Sequence, residues 1–79
     1  MLQMSITRYG GEGVQFNEWL ENRMRAAFET NYSLAKEIHV SQSTVANWRA
    51  GKTKPRLKNV GSLADHYGIP AKQMHGIIW

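Results

Sequence analysis

The chain has no cysteine and only two prolines in its 79 residues. Without cysteine, neither a disulfide framework nor a Cys-based zinc site is available to staple so small a domain, and the composition suits a reducing cytoplasm. His39, His66 and His75 are too scattered to suggest a metal cluster on their own. No apolar run approaches the roughly 20 residues of a membrane-spanning helix, and the first residues lack the apolar centre of a signal peptide. A cytoplasmic location with no membrane partner is therefore expected. Catalytic patterns are missing as well. There are no paired carboxylates and no nucleophile elbow, and Gly10-Gly11-Glu12-Gly13 lacks the Lys-Ser/Thr of a phosphate-binding loop. The sequence predicts neither an enzyme nor a cofactor.

Acid is the scarcer charge, with six acidic residues against ten basic ones and a net charge of +4. Its placement is more telling than its amount. Arg49, Lys52, Lys54, Arg56 and Lys58 crowd into ten positions with no acid between them, whereas Glu12, Glu18, Glu21 and Glu29 lie in and around the first helical stretch. A molecule basic on one side and acidic on another suits a phosphate-bearing partner.

Apolar periodicity divides the rest of the chain into helices. Leu2, Met4 and Ile6 alternate with polar residues as a strand would, and Tyr9 to Gly13 reads as a turn or linker. Residues 1–13 thus form either a short strand or a flexible arm. A strand needs a partner for its backbone groups, which the apolar C-terminal end or a second copy can supply. In a free arm, Arg8 can reach a phosphate or a minor groove. Residues 14–79 make one domain. Phe16, Leu20, Met24, Ala27 and Phe28 form an apolar stripe that predicts a first helix over 15–28, with Trp19 at its flank. Thr30 is a natural N-cap for a second helix over 31–38 and Ser41 for a third over 42–50. Gly51 suits a left-handed helix end. A fourth helix over 57–67 buries Val60, Leu63, Ala64 and Tyr67 and leaves Asp65 and His66 at the surface. Gly61, in its middle, implies a close helix contact. Ile69-Pro70 opens a fifth helix.

The spacing of Ala35, Val40, Val45 and Trp48, followed by Trp48-Arg49-Ala50-Gly51-Lys52-Thr53-Lys54-Pro55, resembles the helix-turn-helix and W-x-x-G-x-x-x-P run of the lambda-repressor-like (Cro/CI, XRE-type) DNA-binding family. The likeness extends from about Phe16 to Met74. Two positions depart from the family pattern: His39 stands where glycine is usual, at a turn that needs positive φ, and Asn31 stands where glutamine is frequent.

The resemblance implies an all-α, compact five-helix domain that places the third helix in the major groove of double-stranded DNA. Gln42, Ser43, Thr44 and Asn47 are then the candidates for base contacts, Gln42 foremost because its amide matches adenine N7 and N6. Asn31, Tyr32, Arg49, Lys52, Lys54 and Arg56 are the candidates for phosphate contacts. Met74, Ile77, Ile78 and Trp79 form an apolar tail that in related repressors makes a homodimer contact; packing back onto the first helix or the N-terminal strand is the alternative. The function implied is a sequence-specific transcriptional regulator of phage or bacterial origin, a repressor on a palindromic operator. The competing reading is a protein-interaction module on the same fold, such as the antitoxin of a toxin–antitoxin pair, with a protein partner on the tail or arm.

Overall fold

The computed structural model describes residues 15–79. Five helices, and no strand among the described residues, follow in order: α1 Phe16–Ala26, α2 Asn31–Ile38, α3 Gln42–Arg49, α4 Leu57–Tyr67 and α5 Ala71–Ile78. The strand or arm expected over 1–13 lies outside the described residues.

Local chemistry sets these boundaries. Thr30 and Ser33 form a reciprocal capping box at the start of α2, the Thr30 hydroxyl accepting from the Ser33 N–H and the Ser33 hydroxyl accepting from the Thr30 N–H. The Ser41 hydroxyl accepts from the Thr44 N–H at the start of α3. Four helix ends use a left-handed residue, at Phe28, His39, Gly51 and Gly68. After α3 the Gly51 N–H donates to the Trp48 carbonyl and the Lys52 N–H to the Asn47 carbonyl, which satisfies two carbonyls the helix would leave open. Thr30, Ser41, Gly51 and His39 (φ 62°) thus take the places the sequence predicts.

Phe28 does not. The apolar stripe of α1 predicts it inside the helix, yet the helix stops at Ala26 and Phe28 sits at φ 57° with 93% of its surface exposed. The hydrogen bonds from Phe28 N–H to the Arg25 carbonyl and from Glu29 N–H to the Met24 carbonyl explain the stop. They turn the chain out of the helix so that α2 can begin at Asn31, and the turn leaves Phe28 outside. Ala27, also expected in the stripe, is exposed.

The core is a single cluster to which every helix contributes: Phe16, Leu20 and Met24 from α1, Leu34, Ala35 and Ile38 from α2, Val45 and Trp48 from α3, Val60, Leu63 and Ala64 from α4, and Met74 and Ile78 from α5. α2 packs on α3 and α4, α1 on α3, and α5 on α4 and α1. Ala35 is nearly fully buried on α2, the helix that packs on both α3 and α4. Val40 packs against the core from the turn.

Two expectations for α4 need correction. Among the described residues a Cβ on Gly61 would meet nothing within 4 Å, so no close contact with another described helix accounts for this glycine. Gly61→Ala is therefore expected to stabilise the fold by about 1 kcal/mol, the helix-propensity difference between the two residues, as a rise in the urea-unfolding midpoint. His66 is not simply a surface residue. Its Nε2 pairs with the Glu29 carboxylate while the Tyr67 hydroxyl donates to the other Glu29 oxygen at 2.7 Å. Burial raises the Tyr67 pKa, and the hydrogen bond to Glu29 raises it further, so the phenol stays protonated and remains the donor. This cluster ties the α1–α2 turn to the end of α4.

Two of the four apolar tail residues pack inward. Met74 and Ile78 are buried in the chain's own core, Ile77 is half-buried, and Trp79 is 66% exposed. The face that Met74, Ile77, Ile78 and Trp79 were expected to offer a second subunit thus narrows to Ile77 and Trp79. Five helices have a hydrophobic interior to fill, and the inward stripe of α5 fills it.

Candidate nucleic-acid interface

Helix α3 is held by two inward anchors, Val45 and Trp48, both buried. The Trp48 ring meets Phe16 edge-on at 6.4 Å between centroids, which seats α3 against α1. A helix fixed on one side by these two residues turns the rest of its circumference outward. Gln42 and Ser43 lie at the exposed start of α3. Thr44 and Asn47 are partly covered. The Thr44 hydroxyl is hydrogen-bonded to that of Ser41 at 2.8 Å, so its commitment is first to the cap.

Beyond α3 the chain runs through Gly51 to Pro55, which is buried and anchors the loop. Lys52, Lys54 and Arg56 project from it and are exposed. The Lys54 ammonium sits 4.9 Å from the centre of the Trp79 ring, so the last residue of the chain supports one of the loop's cations. An open groove of about 390 Å³ runs between α3 and this loop, with Ser41, Thr44 and Asn47 on one side and Thr53, Lys54, Arg56 and Asn59 on the other. The geometry brings two candidate base-contact residues, Thr44 and Asn47, together with two candidate phosphate-contact residues, Lys54 and Arg56.

Asn31 and Tyr32 open α2, where first-turn N–H groups point out of the helix. Tyr32 is 56% exposed, with Lys36 over its ring at 6.0 Å.

Arg49 departs from expectation. Rather than reaching outward among the candidate phosphate contacts, its guanidinium turns back toward α1 and is only 29% exposed. Its Nε donates to Glu21 Oε1 at 2.8 Å, its Nη2 lies 2.6 Å from the same oxygen, and its Nη1 donates to Asn31 Oδ1 at 2.7 Å. The hydrogen bond from Arg49 holds the Glu21 pKa below its ordinary value against a partial desolvation, with the charges of Arg49 and Arg25 adding to the effect. The carboxylate stays ionised at neutral pH and neutralises the guanidinium beside it. Glu21, which reads as one polar residue of a scaffold helix, is thus part of the surface near the start of α2. The only signal for it in sequence is the i,i+4 pairing with Arg25, present at 3.0 Å.

A family model described as helix-turn-helix matches residues 25–73, more than half of the chain. The chain belongs to the XRE/lambda-repressor-like helix-turn-helix family. That is a family of DNA-binding transcription regulators, and the matched stretch contains α2, α3, the basic loop and α4. No curated protein and no solved structure matches the chain. Among the described residues no helix is long and apolar enough to cross a membrane, and no group of three or more His, Cys, Asp or Glu side chains is placed to hold a metal ion.

Proposed function

We propose that this helix-turn-helix protein is a sequence-specific regulator that inserts α3 into the major groove of double-stranded DNA and represses transcription in the manner of Cro/CI proteins. The observation that carries the reading is one open groove that sets Thr44 and Asn47 of α3 against Lys54 and Arg56 of the cationic loop, with Gln42 and Ser43 exposed at the start of the same helix. A duplex presents base edges in its major groove beside rows of backbone phosphates, and a surface of this kind meets both. Gln42, Ser43 and Asn47 act on base edges. Thr44 offers its methyl group, its hydroxyl being engaged. The three loop cations and the amino end of α2, with Asn31 and Tyr32, act on phosphates.

The protein works as a homodimer on a palindromic operator, since two copies of the motif read half-sites about one helical turn apart. Ile77 and Trp79 are the tail residues available to such a contact. Trp79 also leans on Lys54, so a dimer contact through Trp79 would adjoin the cationic loop.

Operator selection from a pool of random duplexes tests the reading. Wild type is expected to enrich a short two-fold-symmetric sequence. Gln42→Ala should relax the preference at one base pair of each half-site, by about 1–3 kcal/mol against the wrong base, while leaving the salt dependence unchanged because no charge is lost. A pool that yields no common sequence would refute sequence-specific reading.

A further inference from the structure

Among the described residues, Arg49 is the one cation of the basic stretch paired with a carboxylate, and its hydrogen bonds point to a role other than touching DNA. A guanidinium carries only donors. Its Nη1 can therefore meet the Asn31 amide only at the oxygen, and at 2.7 Å it does. That bond fixes which way the amide faces. The oxygen is turned in toward Arg49, and the Nδ2 group, with two N–H donors, is left to face away at the first position of α2. Arg49 is itself held by Glu21, through Nε at 2.8 Å and Nη2 at 2.6 Å. Glu21 receives Arg25 on its second oxygen at 3.0 Å, so the carboxylate is constrained from both sides. The result is a chain of three side chains from three helices, Glu21 on α1, Arg49 on α3 and Asn31 on α2.

We infer that Arg49 is a positioning residue for the phosphate contact of Asn31: Glu21 holds the guanidinium, the guanidinium holds the amide oxygen, and the amide N–H donors are thereby presented to a backbone phosphate beside the N-terminus of α2. The inference rests on the DNA-binding function proposed above and adds to it which of the cations works indirectly. An unconstrained asparagine presents oxygen and nitrogen to an approaching phosphate about equally, and the oxygen repels it. Locking the amide removes that wrong orientation before binding. The relay also joins the amino end of α2 to the last turn of α3, so the two elements that meet the duplex keep a fixed spacing.

A double-mutant cycle on a random-sequence duplex at low salt tests this, using Asn31→Ala, Arg49→Met and the double variant, with helicity by circular dichroism on each. Asn31→Ala is expected to weaken binding about tenfold, Arg49→Met by a similar factor, and the double variant by no more than either alone. The slope of log affinity against log salt should stay at its wild-type value in Arg49→Met, because a guanidinium paired with Glu21 neutralises no phosphate. Losses that multiply to about a hundredfold in the double variant, or a slope reduced by about 0.9, would overturn the relay and make Arg49 a direct phosphate ligand. If Arg49→Met does not fold, Arg49→Lys takes its place in the cycle. It keeps the charge but, as a point donor, does not span Glu21 and Asn31 together, so it too should lose about tenfold with no further loss on adding Asn31→Ala. Wild type that binds while the cycle shows no coupling overturns the relay alone. Folded wild type that binds no duplex overturns the DNA-binding function and the relay with it.

Discussion

Neutralising the loop after α3 with Lys52→Gln, Lys54→Gln and Arg56→Gln together is expected to weaken binding to duplex DNA by about 10²–10³-fold at low salt. Each cation that meets a phosphate releases condensed counterions and adds close to 0.9 to the slope of log affinity against log salt. Removing all three should therefore lower that slope by about 2.7. The fold should not respond, because the three side chains are exposed and the loop is anchored instead by buried Pro55 and by the hydrogen-bonded turn at Gly51. Fluorescence anisotropy across a salt series reads both quantities at once. An unchanged slope would mean that these cations face solvent in the complex. Lys54 has a second readout, since removing its ammonium from the face of Trp79 should alter the indole emission of the free protein.

The second large effect is on stability. Trp48→Ala is expected to cost about 3–5 kcal/mol, the range for deleting a large aromatic from a packed core. Trp48 is 2% exposed and is the largest side chain in the core. It meets Phe16, which stacks on Trp19 at 6.2 Å, and Trp19 in turn meets the edge of Tyr67 at 5.5 Å. The aromatic series therefore runs from α3 through α1 to the end of α4. A domain of this size sits toward the low end of the usual range of about 5–15 kcal/mol of folding stability. At about 4–8 °C per kcal/mol, the melting temperature should fall by about 12–40 °C, leaving a large unfolded fraction near 37 °C. Thermal and urea unfolding followed by circular dichroism measures this. A loss under about 1 kcal/mol would show that α3 is not seated by Trp48, and the orientation of Gln42 and Ser43 would need another cause.

Much of this architecture is legible in the residues because the responsible interactions are local. Thr30 and Ser41 cap helices through hydroxyls that serve N–H groups within the same turn, and His39 and Gly51 occupy turns whose φ is set within one residue. Periodicity places Leu34, Ala35, Ile38, Val45 and Trp48 on inward faces, and they are buried. What is not legible depends on which helix lies across from which. Phe28 continues the apolar spacing of α1, but the left-handed turn that releases the chain toward α2 comes first and carries it outside. The tail residues Met74 and Ile78 look available to a partner only until the interior they fill is known. Gly61 invites a packing explanation that its open surroundings do not support.

Arg49 is the clearest case. In sequence it is the first of a run of cations, indistinguishable from Lys52 or Arg56. Only the meeting of α1, α2 and α3 shows that Glu21 and Asn31 lie within reach of its guanidinium. A long-range ion pair leaves no periodic trace in a single sequence.

Whether this surface meets DNA at all is decided by a salt series of the wild-type protein on a random-sequence duplex. Binding should be measurable at low salt and should weaken steeply as salt rises, with a slope that reflects several phosphate contacts. A folded protein that shows no binding at low salt would contradict the assignment of α3 and its loop to the duplex.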